Sequence, residues 1–296
     1  MSMTPPLCAA PDPAPRAPQF AMPADACDCH FHVFDGPSPQ VAERSYTAPP
    51  APLGALHHLH RTLGIRRSVI VQPSVYGTDN RTTLQTCEAD PAMKAIVVID
   101  EDTPTDTLAA HRSRGAVGCR VNMLFTSNAR IDSLAALAAR IADQGWHLQI
   151  LCDVSALGDS MDQLASLPVP VVFDHFGHFP AIKGINDPGF QALLRLLGSG
   201  KAWVKLSGAY RLGPAHHDTD SAVAALAAGL IAANPDQLVW GSDWPHPAIS
   251  QQEMPNDGDL LDALAGWAPD AALRRRILVD NPARLYGFDK GSDLHA

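Results

Sequence analysis

The sequence lacks both a cluster of basic residues and a long apolar run. Its 22 Lys and Arg residues are outnumbered by 31 Asp and Glu residues, and the net charge is −9. No apolar stretch approaches the roughly 20 residues that a membrane-spanning helix needs. A basic segment followed by an apolar core, as in a secretory signal, is missing from the first 26 residues. We therefore expect a cytoplasmic protein without a nucleic-acid or membrane partner.

Cysteine spacing of the C-x-x-C type is also absent. Six cysteines are scattered along the chain, at positions 8, 27, 29, 87, 119 and 152. Such scatter predicts reduced thiols rather than a disulfide framework or a cysteine-ligated metal. Cys27 and Cys29 lie in a predicted strand, and the two-residue period of a strand places Cys29 and Phe31 together on its packing face.

Apolar runs that alternate with Ala- and Leu-rich amphipathic stretches dominate the rest of the chain. The predicted strands cover residues 26–34, 68–74, 94–99, 116–122, 147–152, 170–175, 202–207 and 238–243. Helices are predicted between them, for example over residues 53–63, 131–143, 190–197 and 221–233, with a short closing helix from residue 281. Strands that alternate with helices in this way are parallel and joined by crossover helices.

Eight such repeats predict a single-domain α/β protein, a closed (β/α)8 TIM barrel over residues 26–290. An open doubly wound sheet is the alternative, but no G-x-G-x-x-G segment follows the first strand. A proline-rich leader at residues 1–25 precedes the predicted barrel, and a tail at residues 291–296 follows it.

Histidines and a carboxylate end three of the predicted strands. His30 and His32 are two residues apart, so they share one face of the first strand. His175 ends the sixth strand and Asp243 ends the eighth. Because the catalytic groups of a (β/α)8 barrel lie at the C-terminal ends of its strands, these four side chains are expected to converge at one mouth. Three imidazoles and a carboxylate can hold a divalent metal or polarise a carbonyl oxygen.

Two cations point into the predicted barrel, Arg120 on the fourth strand and Lys205 on the seventh. Burying an unpaired cation is costly, so each needs a carboxylate or a ligand, and a structural ion pair and a substrate contact both meet that need. We interpret Asp174 as a helix cap or as a group that orients a neighbour. Further polar residues at strand ends or in the loops that follow are Gln72, Ser74, Tyr76, Thr78, Asn80, Asn122, His178, Ser207, Arg211 and His246. The histidines expected to face solvent are His57, His58, His60, His216 and His217.

Taken together, these residues resemble the amidohydrolase superfamily, which carries H-x-H on the first strand, a histidine on a middle strand and an aspartate on the last. The segments 241–247 (GSDWPHP) and 281–287 (NPARLYG) are typical of its amidohydrolase-2 branch. Segments similar to 2-pyrone-4,6-dicarboxylate lactonase and related lactonases are 28–34 (DCHFHVF), 69–80 (VIVQPSVYGTDN) and 173–177 (FDHFG). The resemblance extends from about residue 24 to residue 288.

The resemblance implies hydrolysis of a small carboxylated lactone, as in the catabolism of aromatic compounds. Asp243 would take a proton from water and return it to the leaving oxygen. His30, His32 and His175 would polarise the lactone carbonyl, directly or through a metal. The implied substrate-binding residues are Arg120 and Arg211 as carboxylate clamps, Ser74, Tyr76 and Thr78 for ring substituents, and Lys205, His178 and His246.

Two departures from the superfamily bear on the metal. The fourth strand ends in the sequence CRVN at 119–122, without the lysine that bridges two metals in binuclear members, and the fifth ends in QILC at 149–152, without the usual histidine. A binuclear centre is therefore not expected. Since the pyrone lactonase that the chain resembles works without metal, we predict that none is required. The alternative is one Zn²⁺ held by His30, His32, His175 and Asp243.

A third departure bears on the substrate. Where the pyrone lactonase carries further arginines, this chain has His178 and the uncharged segment 125–127. A monocarboxylated lactone, muconolactone-like or derived from a sugar acid, therefore competes with 2-pyrone-4,6-dicarboxylate as the expected small anionic partner. The other interpretations are a zinc-dependent decarboxylase of the same superfamily and a non-catalytic, metabolite-binding barrel. Homo-oligomerisation is left open.

Overall fold

The computed structural model describes residues 5–124, 131–158, 160–213 and 221–288. Eight parallel strands follow one another around a single sheet in chain order. They are β1 (Cys27–Phe31), β2 (Arg67–Val71), β3 (Met93–Val97), β4 (Ala116–Asn122), β5 (His147–Leu151), β6 (Val171–Phe173), β7 (Ala202–Leu206) and β8 (Leu238–Trp240). Beyond β8, the His32 amide donates to the Trp244 carbonyl at 2.8 Å and thereby joins the two ends of the sheet. The predicted (β/α)8 barrel is confirmed.

Crossover helices join successive strands, and further helices follow the last strand. They are α1 (Leu53–Leu63), α2 (Arg81–Glu88), α3 (Thr105–Ser113), α4 (Ile131–Ala142), α5 (Ser160–Ala165), α6 (Pro188–Gly198), α7 (Ser221–Ala233), α8 (Asp257–Trp267), α9 (Ala271–Arg275) and α10 (Asn281–Tyr286). Within the described ranges, none of them combines the length and apolar character needed to cross a membrane.

The strand side chains divide into two packed layers, as the alternation of side chains along a strand requires. One layer lies inside the barrel and includes Val69, Ile96, Val172 and Val239 together with Tyr286 from α10. The other packs outward against the helices. Burial of each such aliphatic side chain stabilises the fold by about 1.5–3 kcal/mol. Apolar side chains therefore fill one half of the barrel interior. Polar groups occupy the other half, at the C-terminal ends of the strands.

The first strand departs from the predicted alternation. Its pairing with β2 shifts register between Asp28 and Phe31. As a result, Cys29 packs inside the barrel with Cys27, whereas Phe31 packs in the outer layer. The prediction that Cys29 and Phe31 share one face is therefore wrong, because it assumed an undisturbed strand. All six cysteines are free thiols and buried.

The proline-rich leader, described from residue 5, lies against the barrel. The Cys8 amide donates to the Thr47 carbonyl at 2.9 Å, near the mouth. Further along, the Arg16 amide donates to Asn256 Oδ1 at 3.0 Å, and the Gln19 amide donates to Asp262 Oδ1 at 2.6 Å. These bonds tie the leader to the start and the outer side of α8. The predicted tail at 291–296 lies outside the described residues.

Candidate active site

A cavity opens at the C-terminal ends of the strands. Its lining combines residues from the strand ends and from the loops that follow them. The lining residues are His32, Tyr46, Ser74, Arg120, Asn122, Leu151, His175, His178, Arg211, Asp243, Pro247 and Ala248. This is the position at which (β/α)8 enzymes carry their chemistry.

Asp243 lines the cavity and is almost fully buried. Its Oδ2 atom accepts hydrogen bonds from Arg211 Nε and from the Tyr210 hydroxyl, both at 2.7 Å. Burial raises the pKa of Asp243, but the Arg211 guanidinium outweighs that effect and holds the pKa well below its usual value. Asp243 is therefore an ionised carboxylate at neutral pH.

Three imidazole nitrogens converge on the other oxygen of Asp243. The Nε2 atoms of His30, His175 and His32 lie 3.7, 3.8 and 3.9 Å from Asp243 Oδ1. The His32 Nδ1–H donates to the Val71 carbonyl at 2.7 Å, so its Nε2 presents a lone pair when the ring is neutral. Burial lowers the pKa of His32 to about 4, which keeps that ring neutral at pH 7.

The other two rings are held from behind in the same manner. His30 Nδ1 lies 3.2 Å from Asp174 Oδ1 and 3.3 Å from Lys205 Nζ. His175 Nδ1 lies 2.8 Å from the Ser207 hydroxyl. Burial lowers the pKa of His175 to about 3 and that of His30 well below its usual value. Each imidazole therefore faces Asp243 in its neutral form.

Local backbone geometry aims His175 into the cavity. His175 itself adopts a left-handed φ of 49°, and the turn continues through Phe176 at 57°. Gly208, which follows β7 with φ 60°, lies directly behind the ring, where a Cβ atom would be 2.8 Å from His175 Nδ1. Only glycine combines that backbone conformation with that close approach.

The four converging groups fit a single divalent metal. Donor atoms of His30, His32 and Asp243 all lie within 4.8 Å of one another, and His175 Nε2 lies 3.8 Å from Asp243 Oδ1. Neutral imidazole nitrogens and a carboxylate oxygen are ligands that zinc prefers. Within the described part of the chain, His30 Nε2 has no hydrogen-bond partner although it is buried. Buried polar atoms are normally paired, so this nitrogen needs a ligand, and a metal ion would satisfy it.

Behind the cavity, Asp174 links the two inward-pointing cations. Arg120 Nε donates to Asp174 Oδ2 at 3.0 Å, and Lys205 Nζ lies 3.5 Å from Asp174 Oδ1. Lys205 also donates to Gln149 Oε1 at 2.7 Å and to the Cys29 carbonyl at 2.9 Å. The Asp174 side chain makes no helix-capping bond; it orients His30 and pairs with the cations.

The predicted substrate-binding residues fall into two groups. Arg120, Arg211, Ser74 and His178 line the cavity. Four others do not line it, namely Tyr76, Thr78, Lys205 and His246. Tyr76 packs on Phe34, with ring centroids 6.0 Å apart, Thr78 is exposed on the loop after β2, and Lys205 lies below the cavity among its interior partners. His246 is enclosed between Tyr210 and Asp257.

His60 contradicts its predicted exposure. It is buried, and its Nε2 lies 3.3 Å from Asp28 Oδ2. The buried positions of α1 are 56, 59, 60 and 63, the spacing of one helix face, and His60 belongs to that face. Helical periodicity could have revealed this. His57 is half-buried and His58 is exposed, whereas His216, His217 and segment 125–127 lie outside the described residues.

Two tyrosines were missed by sequence reasoning. Tyr46 lines the cavity from the irregular segment between β1 and α1, where no periodicity marks it. Tyr210 donates to Asp243 from the loop after β7. Its position beside Arg211, a predicted substrate-binding residue, is the one signal in the sequence that could have identified Tyr210.

Comparison with known proteins places this site in a family. The sequence profile of the amidohydrolase family matches residues 27–288. The 4-sulfomuconolactone hydrolase of Hydrogenophaga intermedia is 36% identical, with 95% of each chain covered. The 2-pyrone-4,6-dicarboxylate hydrolase of Comamonas testosteroni is 34% identical, over 92% of this chain and 93% of that protein.

Solved structures agree with the sequence comparison. A probable 2-pyrone-4,6-dicarboxylic acid hydrolase from Acinetobacter baumannii, solved with citric acid bound, matches with a TM-score of 0.77 at 29% identity. The match covers 89% of this chain and 100% of that one. Profile, relatives and structure extend over nearly the whole barrel, and the chain belongs to the amidohydrolase family.

Proposed function

We propose that this protein hydrolyses a small anionic lactone. The observation that carries the proposal is the convergence of three imidazole nitrogens on Asp243 Oδ1, at 3.7–3.9 Å, in a cavity open to solvent. An ionised carboxylate beside an electrophile-binding cluster is what hydrolysis of a cyclic ester needs. Relatives named as lactone hydrolases support the same reaction.

Asp243 acts on the water. Its Oδ1 atom takes a proton as the water oxygen bonds to the lactone carbonyl carbon, and a tetrahedral oxyanion forms. The ring C–O bond then breaks, and Asp243 returns the proton to the departing ring oxygen. The product is an open-chain acid that carries a free hydroxyl, and the Asp243 carboxylate is regenerated.

The carbonyl oxygen needs a positive partner. His32 uses its Nδ1–H toward the Val71 carbonyl, so its Nε2 lone pair cannot donate a hydrogen bond to an oxyanion. A divalent ion held by the three histidines and Asp243 would supply a Lewis acid at this place. This supports the alternative of one Zn²⁺, while the metal-free reaction stays a prediction that chelation tests.

Charge around the cavity favours an anionic substrate. Arg120, Lys205 and Arg211 provide three cations, and Asp174 and Asp243 provide two carboxylates. The group therefore carries one uncompensated positive charge in a poorly solvated place. A carboxylate or sulfonate on the lactone would balance it.

A lactone panel tests the proposal. It should contain 2-pyrone-4,6-dicarboxylate, muconolactones, sugar-acid lactones and neutral lactones of similar size, assayed with and without chelator. We expect hydrolysis of at least one anionic member at a kcat/KM well above that of the neutral ones. No hydrolysis of any lactone, or a preference for neutral ones, would refute the proposal.

The same assay separates the alternatives. A zinc-dependent decarboxylase would release CO₂ from a carboxylated substrate while leaving the ring intact. A non-catalytic barrel would bind an anionic metabolite and convert none. Detection of the ring-opened acid as the product excludes both.

A further inference from the structure

Tyr210 and His246 connect Asp243 to a second carboxylate outside the cavity. The Tyr210 hydroxyl lies 2.7 Å from Asp243 Oδ2 and 3.0 Å from His246 Nδ1. On its other side, His246 Nε2 lies 3.2 Å from Asp257 Oδ1. Tyr210 and His246 are fully buried, Asp257 is 2% exposed, and none of the three lines the cavity.

The donor and the acceptor of each hydrogen bond between Asp243, Tyr210 and His246 can be assigned. The Tyr210 hydroxyl donates to Asp243 Oδ2, so its proton lies on that bond. The Tyr210 oxygen can then only accept from His246, which requires the proton on Nδ1. Asp257 Oδ1 lies 3.2 Å from Nε2 on the other side of the ring, and this contact restricts rotation of the imidazole.

Asp257, the residue of this series most distant from Asp243, belongs to a helix. Asp257 is the first residue of α8, whose preceding residue Asn256 caps the helix by accepting from the Gly258 amide at 3.1 Å. The His246 amide donates to the Asp243 carbonyl at 2.8 Å, which folds the loop after β8 back on itself. Contacts through Tyr210 and His246 therefore connect the Asp243 carboxylate to the first residue of α8.

These contacts restrict the orientation of the Asp243 carboxylate. The terminal torsion of an aspartate is soft, and a partial rotation of the carboxylate would turn its free oxygen away from the imidazoles. Two donors on Oδ2, Tyr210 and Arg211 Nε, oppose that rotation and leave Oδ1 toward the imidazoles and the cavity. We propose that Tyr210, His246 and Asp257 are positioning residues that hold Asp243 with Oδ1 toward the water. This inference rests on the proposed lactone hydrolysis.

Kinetics of single and double variants test whether His246 acts through Tyr210. With the lactone that the wild type hydrolyses best, Tyr210→Phe should lower kcat by about 10- to 100-fold, the effect of a lost hydrogen bond to a charged group, with KM little changed. His246→Leu should lower kcat in the same way. The double variant should be no slower than Tyr210→Phe alone, because both changes interrupt the same series of contacts to Asp243.

Two further variants serve as controls. His246→Asn, whose amide nitrogen can replace Nδ1 as donor, should recover part of the kcat lost in His246→Leu. Tyr286→Phe removes a buried hydroxyl at the opposite end of the barrel and should leave kcat unchanged. Melting temperatures of all variants show how much of any loss is a loss of folded protein.

Multiplicative losses in the double variant would overturn the inference, as would a raised KM with unchanged kcat in Tyr210→Phe, which would mean that Tyr210 contacts substrate. A crystal structure of Tyr210→Phe gives a readout independent of activity, and we expect a rotated Asp243 carboxylate in it. An unmoved carboxylate would overturn the inference even in an active enzyme. A wild type inert toward every lactone refutes the proposed function, and the crystal structure then still decides this inference.

Discussion

Arg120 belongs to a buried ion pair and also lines the cavity. Its replacement by methionine tests the structural role and the substrate-binding role separately. Its Nε atom donates to Asp174 Oδ2 at 3.0 Å, and the side chain is 6% exposed. Arg120 also lines the cavity, and among the described residues its guanidinium makes no hydrogen bond besides the one to Asp174. The terminal nitrogens therefore remain for a carboxylate on the substrate.

The ion pair sets the expected loss of stability. Removing one partner of a buried pair costs about 3–5 kcal/mol. Asp174 would keep Lys205 at 3.5 Å and Gln149 Nε2 at 3.2 Å, so we expect the lower end of that range, about 3 kcal/mol. For a chain of this size, that lowers the melting temperature by about 5 °C.

The cavity role sets the expected loss of activity. Losing the partner of a desolvated substrate carboxylate costs about 2–5 kcal/mol, which corresponds to about 30- to 5000-fold in kcat/KM. The methyl ester of the same lactone carries no such charge and should keep its kcat/KM within about threefold of the wild-type value. Both substrates are assayed at a temperature where the variant is fully folded.

Lys205→Met is the matched control. Lys205 is also a cation beside Asp174 and is fully buried, but it does not line the cavity. Its replacement should lower the melting temperature and change kcat/KM for acid and ester by the same factor. If Arg120→Met likewise affects both substrates equally, the carboxylate clamp is refuted and Arg120 is structural.

Three further predictions concern the proton acceptor, the metal and the placement of His175. Asp243→Asn should lower kcat by about 10²–10⁴-fold without loss of the fold, and a variant that keeps more than about a tenth of the wild-type kcat would remove Asp243 from this role. Exhaustive chelation should leave kcat intact if no metal is required; loss of activity, recovery with Zn²⁺ and one zinc per chain by elemental analysis would contradict that prediction. Gly208→Ala brings a methyl group to 2.8 Å from His175 Nδ1 and should lower kcat strongly. Gly145→Ala, at φ 68° with open space around it, should lower only the melting temperature, and equal kcat in the two variants would disprove the steric argument.

The sequence by itself determined the barrel and the four groups at its mouth. Strands buried on both faces are continuous apolar runs, and their alternation with helices leaves few parallel topologies. The spacing of His30 and His32 and the strand-end positions of His175 and Asp243 are local properties, and the fold rule for (β/α)8 barrels converts them into one site. The sequence also predicted that the inward-pointing cations Arg120 and Lys205 each need a partner.

Only the tertiary structure decided which partners these groups have. Asp174 meets Arg120 across 54 positions of sequence, and Tyr210 meets Asp243 across 33, so no local pattern records either contact. The path of the loop after β2, which carries Tyr76 away from the cavity, is equally unmarked by periodicity. The register shift in β1 separates Cys29 from Phe31 because it depends on the neighbouring strand. Local spacing places a side chain on a face, whereas strand register and loop paths decide what that face meets.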